Sequence, residues 1–280
     1  MTPDGAVDYA AFERLIEFHI EAGTDGLVVT GTTGESATLQ KLEHVEVIAT
    51  AVRIAAGRLP VIAGTGSNST AQTVDLSTEV DQLNVDGFLV VTPYYNKPTP
   101  DGLVAHFTAI ADAVSKPVML YNVPGRTAVD MLPETVARLA PHANIFGIKE
   151  ATGDVSRVAP LRELCGPDFA LYSGDDATAR EFMLAGGQGV VSVTSNVAPA
   201  AMAAMCKAAI AGDAAVAAGL DAPLAALHND LFVEANPTPV KWCLQRMGMI
   251  AGGIRLPLLP LSEDKQPVLE AALRQAGVLD

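Results

Sequence analysis

Gly87-Phe88-Leu89-Val90-Val91-Thr92, a segment of helical period over Gly102 to Ala113, and then Pro117-Val118-Met119-Leu120-Tyr121-Asn122 decide the fold. Both apolar runs are continuous rather than alternating, as strands covered on two faces are, and the segment between them supplies a helical crossover. The unit repeats in both directions. Upstream lie Gly26-Leu27-Val28-Val29-Thr30 and Pro60-Val61-Ile62-Ala63-Gly64, with helical periods over Tyr9 to Ala22, Leu39 to Ala56 and Thr70 to Leu83. Downstream lie Asn144-Ile145-Phe146-Gly147-Ile148-Lys149-Glu150, Phe169-Ala170-Leu171-Tyr172-Ser173 and Gly189-Val190-Val191-Ser192-Val193. Helical periods over Pro133 to Ala140, Val155 to Leu164 and Asp176 to Ala185 fill the gaps. Strict alternation of this kind predicts a parallel sheet wrapped by helices.

The expected fold class is therefore α/β, a (β/α)8 TIM barrel with a C-terminal helical extension. Beyond the seventh strand only helices are expected, over Pro199 to Ala211, Asp213 to Glu234, Thr238 to Met247 and Lys265 to Gln275. The run Ala200-Ala201-Met202-Ala203-Ala204-Met205 reads as close helix packing. One domain is expected, with the barrel over residues 1–212 and a helical region over 213–280 packed on it. A closed barrel needs eight strands and the chain shows seven, because the first helix begins within about ten residues of Met1. Either the sheet is open or the first barrel strand is missing from this chain. Two unpaired edges would then make a chain starting at Met1 poorly soluble or weakly active. About ten further residues would complete the first strand in the natural protein.

Composition narrows the function. The chain of 280 residues is 49% hydrophobic and carries a net charge of −14. That charge excludes the basic patches that nucleic acid or an anionic membrane surface requires, and leaves small molecules as partners. Cys165, Cys206 and Cys243 are odd in number and widely spaced, which suggests reduced thiols of a cytoplasmic protein and no disulfide framework or zinc cluster. No stretch approaches membrane-spanning length.

In a parallel barrel the chemistry gathers in the loops at the carboxyl ends of the strands. Those loops are Gly31-Thr32-Thr33-Gly34-Glu35-Ser36, Gly64-Thr65-Gly66-Ser67-Asn68, Thr92-Pro93-Tyr94-Tyr95-Asn96, Tyr121-Asn122-Val123-Pro124-Gly125-Arg126-Thr127, Lys149-Glu150-Ala151-Thr152, Ser173-Gly174-Asp175-Asp176 and Ser192-Val193-Thr194-Ser195-Asn196. They hold hydroxyls, one lysine, one arginine and several glycines, but no histidine and no cluster of metal ligands. Lys149 has two readings. It is either a solvated lysine paired with Glu150, or, on the inner face, a partly desolvated amine able to condense with a ketone. Alternation along the strand sets Gly147 and Lys149 on one face and Phe146 and Ile148 on the other. The first loop is either a tight turn with Ser36 or Thr38 capping the next helix, or a carboxylate cradle. Tyr94 and Tyr95 serve either packing or function. Arg126 is a solvated charge or a two-pronged carboxylate clamp, and Asp175 and Asp176 most simply cap the following helix.

Five segments in register carry a resemblance that runs from about Thr2 to the carboxyl terminus. They are Gly31 to Ser36, Val91-Thr92-Pro93-Tyr94-Tyr95-Asn96-Lys97-Pro98, Tyr121 to Thr127, Gly147-Ile148-Lys149-Glu150-Ala151-Thr152 and Asn236-Pro237-Thr238-Pro239-Val240-Lys241. The chain resembles the dihydrodipicolinate synthase family, Schiff-base-forming class I aldolases of the N-acetylneuraminate lyase superfamily. The resemblance implies that Lys149 forms an imine with pyruvate, and that Tyr121 shuttles protons through Thr32 to Tyr95. In this family the tyrosine matching Tyr95 crosses from a neighbouring subunit, so a homo-oligomer, a dimer of dimers, is implied. Thr32 and Thr33 would hold the pyruvate carboxylate and Arg126 that of L-aspartate 4-semialdehyde, while the backbone of Gly174 and Val191 lines the pocket. No metal or organic cofactor is implied. The product, 4-hydroxy-tetrahydrodipicolinate, belongs to diaminopimelate and lysine biosynthesis.

The chain also departs from the family. Members begin with an apolar strand ending in Thr-Pro, and here Thr2-Pro3 opens the chain, in agreement with the count of seven strands. In the lysine feedback site Ser36, Ala37, His44, Asn68 and Tyr94 match, but Lys41 replaces a histidine and Gln72 a glutamate. An added cation and a lost anion both disfavour a diamino acid, so strong lysine inhibition is not expected. Two rival readings are a pyruvate-dependent aldolase acting on a sialic or keto-deoxy sugar acid, and an inactive barrel that only binds.

Overall fold

A computed structural model describes residues 1–280. Its seven strands are β1 (Leu27–Val29), β2 (Val61–Gly64), β3 (Gly87–Val91), β4 (Val118–Asn122), β5 (Ile145–Glu150), β6 (Ala170–Ser173) and β7 (Gly189–Val190). All pair in parallel and in chain order, so every connection is a crossover, as the alternation predicts. The chain forms two compact units, one of Met1–Gly26, Thr30–Leu59 and Ser192–Asp280, the other of Leu27–Val29 and Pro60–Val191.

The second unit holds the whole sheet together with α3 (Thr70–Val80), α4 (Pro100–Ala113), α5 (Pro124–Thr127), α6 (Pro133–Leu139), α7 (Val158–Cys165) and α8 (Ala179–Leu184). Ser69 caps α3, and Thr99 caps α4 ahead of Pro100, whose fixed φ suits the first turn. On one face of the sheet Phe88, Val90, Val118, Leu120, Ile148 and Leu171 are fully buried. On the other, Leu89, Met119, Tyr121 and Val123 form a cluster against which Val28, Ile62, Val91, Phe146, Ala151 and Tyr172 pack.

Phe146 corrects the alternation reading. The β4–β5 register shifts between Val118 and Met119, so that Val118 pairs with Ile145 while Met119 pairs with Gly147. The extra residue turns the phenyl ring into the Tyr121 cluster, on the face that carries Lys149, because a bulge re-aims the side chain it inserts.

The first unit contains α1 (Tyr9–Glu21), α2 (Lys41–Ala55), α9 (Pro199–Ile210), α10 (Ala214–Asp221), α11 (Ala225–Asp230), α12 (Thr238–Arg246) and α13 (Gln266–Gln275). The Ala-rich α9 packs against α10, with Met202, Met205, Ala209 and Ala217 buried. The single helix expected over Asp213 to Glu234 is broken instead. Pro223 has no N–H to give, a 3-10 turn spans Ala222–Leu224, and α11 ends at Asp230. Within this unit Thr194 Oγ1 lies 2.9 Å from His228 Nδ1, and His228 Nε2 lies 3.0 Å from Asp221 Oδ1. Burial pushes the Cys243 thiol up to about 12 and that of Cys165 to about 11. No helix is long and apolar enough to cross a membrane.

Candidate active site

Strand pairing brings Lys149 and Tyr121 together. They are register partners at the carboxyl ends of β5 and β4, so their side chains share a face. Lys149 Nζ stands 4.2 Å from the centroid of the Tyr121 ring, within cation–π range. Tyr121 is buried and Lys149 half-buried, with Phe146 packed into the same cluster. Gly174 makes room for the lysine arm. A Cβ there would stand 2.8 Å from Lys149 Cε and 2.5 Å from Ala151 Cβ, so the position admits only glycine without a shift.

Glu150 is not the ion partner of Lys149. It points to the opposite face, where its carboxylate accepts from Asn122 Nδ2 at 3.3 and 3.2 Å and from the Thr152 N–H at 3.0 Å. Arg157 Nη1 donates to it at 3.5 Å. Arg157 also pairs with Asp130, to which Asn122 donates at 2.9 Å. Burial holds the Glu150 carboxyl above the usual range, against the pull of Asn122 and Arg157. Asn122 and Glu150 are themselves register partners, so this bond ties the two strand ends one residue beyond Tyr121 and Lys149. The sequence placed both residues in the loops and gave them no such role.

Arg126 lies exposed on α5, a turn the periodicity did not anticipate, which forms as the Val123 carbonyl accepts the N–H groups of Arg126 and Thr127 at 2.9 and 3.1 Å. Tyr95 is 88% exposed, and its φ of 75° is one that a tyrosine rarely adopts. Its N–H donates to the Thr127 carbonyl at 3.4 Å, which sets it beside the Arg126 turn. The Val191 N–H donates to the Ser173 carbonyl at 2.8 Å and that of Gly174 to the Glu150 carbonyl at 2.7 Å. Asp175 accepts from the Thr178 N–H and hydroxyl at 3.1 and 2.7 Å. This turn delays α8 to Ala179, while Asp176 is buried rather than facing solvent as a simple cap would.

Thr32 and Thr33 lie in the first unit, on a loop bracketed by two residues in the left-handed region, Thr30 (φ 57°) and Glu35 (φ 54°). Inside the loop the Gly34 N–H donates to Gly31 and that of Glu35 to Thr32, both at 3.1 Å. Thr33 Oγ1 accepts from Asn236 Nδ2 at 3.1 Å. The buried Glu35 carboxylate accepts from Lys241 Nζ and, at 3.0 Å, from the Arg255 N–H. Arg255 in turn grips Glu43 with two bonds of 2.6 Å. Burial lowers the Lys241 ammonium below its ordinary value, outweighing the opposing pull of Glu35. Neither Ser36 nor Thr38 caps α2, contrary to the turn-and-cap reading. A 3-10 turn over Ser36–Thr38 intervenes, Thr38 Oγ1 donates back to the Glu35 carbonyl at 3.0 Å, and α2 begins after Gln40.

Of the residues matched to the family's lysine feedback site, Ser36 is half-buried, Ala37 exposed and His44 buried on α2, all in the first unit. Asn68 and Tyr94 lie in the second unit, where Asn96 Nδ2 donates to the Asn68 carbonyl at 2.8 Å. Lys41 and Gln72 are exposed in the first turns of α2 and α3.

The sequence profile of the dihydrodipicolinate synthetase family matches residues 1–276. A 4-hydroxy-tetrahydrodipicolinate synthase of Shewanella sp. strain ANA-3 is 59% identical over 279 residues, covering 99% of this chain and 95% of its own. The crystal structure of a chloride-inhibited dihydrodipicolinate synthase from Acinetobacter baumannii, complexed with pyruvate, superposes with a TM-score of 0.98 at 52% identity, over 100% of this chain and 96% of that one. A dihydrodipicolinate synthase variant described as the first monomeric one superposes at 0.95 with 42% identity, over 97% of this chain and 92% of its own. The seven-stranded parallel sheet with its helices is thus of the TIM-barrel type.

Proposed function

The chain belongs to the dihydrodipicolinate synthetase family, and on that premise we propose that it is a class I aldolase-type lyase condensing pyruvate with L-aspartate 4-semialdehyde to 4-hydroxy-tetrahydrodipicolinate, in diaminopimelate and lysine biosynthesis. The observation that carries the reading is the half-buried amine of Lys149 held 4.2 Å from the Tyr121 ring at the carboxyl ends of paired strands, with Gly174 keeping its arm clear.

In this reading the Lys149 amine adds to the pyruvate keto carbon and water leaves as the imine forms. The cationic imine is an electron sink, so a methyl proton is lost and the resulting enamine attacks the aldehyde carbon of the second substrate. Tyr121 carries protons between lysine, imine and aldehyde, through Thr32 to Tyr95. Thr32 and Thr33 hold the pyruvate carboxylate, Arg126 that of the semialdehyde, and the backbone of Gly174 and Val191 lines the pocket. An 88% exposed tyrosine on strained backbone suits a residue that completes a neighbouring subunit's relay, which supports a homo-oligomer, a dimer of dimers. The protein is assigned to the cytoplasm, where its pathway would run. The lysine effector site is degenerate at Lys41 and Gln72. Residues 1–212 are read as the catalytic barrel and 213–280 as its helical extension. The seven-stranded sheet is read as an eight-stranded barrel without its first strand.

Incubation with pyruvate and borohydride, followed by intact-mass measurement, tests the central step. One reduced adduct per chain, lost in Lys149→Ala, is expected. An undiminished adduct on another peptide removes Lys149 from the role. Turnover of a sialic acid in place of aspartate semialdehyde would replace the second substrate.

A further inference from the structure

The segment Asn236-Pro237-Thr238-Pro239-Val240-Lys241 has no part in the chemistry above, yet it sends two side chains into one loop. Asn236 Nδ2 donates to Thr33 Oγ1 at 3.1 Å, and Lys241 Nζ to the carboxylate of Glu35 two residues on. Asn236 is buried, and the side chains of Lys241 and Glu35 are only 13% and 2% exposed. The loop they reach is one that does not hold its shape cheaply. Thr30 and Glu35 both sit at positive φ, and for the β-branched Thr30 this conformation is an outlier. Such backbone persists only where the surroundings over-determine it. Within the loop the Gly34, Glu35 and Ser36 N–H groups bond back to Gly31 and Thr32, while Asn236, Lys241 and the Arg255 N–H reach it from more than 200 residues further along the chain. A buried lysine is an expensive way to fill space, since an ammonium out of water costs several kcal/mol unless well paired. Apolar residues would pack that position at lower cost, so its charge serves geometry.

We propose that Asn236 and Lys241 are positioning residues for the first substrate: they clamp the Thr32-Thr33 loop at Thr33 and Glu35 and so hold its hydroxyls and N–H groups in the arrangement that receives the pyruvate carboxylate. The inference rests on the preceding reading of Thr32 and Thr33 as that cradle. Asn236 fixes the rotamer of Thr33, because its amide both donates to the Thr33 hydroxyl at 3.1 Å and stands 3.5 Å away as an acceptor for it, and Glu35 fixes the backbone that follows. The clamp acts on the binding of one substrate. It does not act on the Lys149 amine.

The test uses Asn236→Leu, Lys241→Met, Lys241→Arg and the double variant Glu35→Gln/Lys241→Met. Borohydride-trapped adduct is weighed over a pyruvate concentration series, and KM is measured for both substrates. Asn236→Leu and Lys241→Met should raise the pyruvate half-saturation by about tenfold, the worth of one hydrogen bond to a charged or oriented group. Adduct at saturating pyruvate should still reach one per chain, and KM for aspartate semialdehyde should stay within about twofold. Lys241→Arg, which keeps a cationic donor, should recover most of the loss. Should Lys241→Met fail to fold because Glu35 is left buried and unpaired, the double variant carries no buried charge at the pair and still lacks the clamp, so it should fold and show the raised half-saturation. Folded variants with an unchanged pyruvate half-saturation overturn the proposal, and so does a parallel rise in both KM values. Absence of any adduct in the unaltered protein would instead overturn the reading of Lys149, and the clamp with it. A normal adduct with insensitive variants overturns the clamp alone.

Discussion

Gly174→Ala separates the cost to folding from the cost to chemistry. The added methyl would stand 2.8 Å from Lys149 Cε and 2.5 Å from Ala151 Cβ. Carbon atoms in contact prefer about 3.5–4.0 Å, so both approaches are short by roughly 1 Å. Lys149 Cε lies near the far end of a flexible arm and yields readily, whereas Ala151 Cβ moves only with its backbone. Overpacking of this order costs about 1–3 kcal/mol, a loss of a few degrees in Tm for a domain of this size. The displaced arm matters more. A shift of roughly 1 Å from the attacking geometry can lower the rate about 10²-fold. The expected result is a rate of borohydride-trapped pyruvate adduct near one hundredth of the unaltered protein's, with a modest fall in Tm by calorimetry. Gly147→Ala is the control. Its Cβ would stand 2.4 Å from the Ala170 carbonyl oxygen, a backbone clash between β5 and β6 that should appear chiefly as lost stability. A trapping rate for Gly174→Ala within threefold of the original would refute the claim that this glycine keeps the lysine arm clear.

Arg126→Ala should lower kcat/KM for aspartate semialdehyde by about 10² to 10³ while leaving the pyruvate adduct intact; an equal fall in trapping would misplace the guanidinium. Glu150→Gln sets an amide donor against Asn122, the Thr152 N–H and Arg157, which should loosen the tie between β4 and β5 and lower kcat about tenfold, and unchanged steady-state kinetics would leave that tie without a catalytic role. Burial pushes the His106 imidazole from 6.5 down to about 4. Because the unfolded chain takes up this proton first, the stability His106 contributes is whole above pH 6.5 and is lost as pH falls toward 4, by up to about 3 kcal/mol at about 1.4 kcal/mol per pH unit. His106→Phe should flatten the Tm profile in that window, and an unaltered slope would assign the loss to other groups.

The order and direction of the strands were legible in the sequence, because continuous apolar runs alternating with helical periods leave a parallel sheet in chain order as the natural outcome. The positions of Lys149, Tyr121 and Gly174 at the carboxyl ends of strands were legible as well, whereas the roles proposed for them came from the family resemblance, since position alone left Lys149 still open as a solvated lysine. Four features were not legible. The β-bulge that turns Phe146 toward Lys149 arises from pairing with β4, and a single strand's parity carries no record of its partner. The bond between Asn122 and Glu150 follows from register across two strands, so Glu150 read as a neighbour of Lys149 in sequence while facing away from it in space. Helical period, the signal that ran over Asp213 to Glu234, continues across Pro223 and so does not show the break that its missing N–H makes there. The clamp of Asn236 and Lys241 on the threonine loop joins residues more than 200 apart. Local propensity determines which elements form and where their ends lie. Contacts between segments distant in sequence exist only after the chain has folded, and those contacts decide which side of a strand faces the chemistry and which buried charges hold it in place.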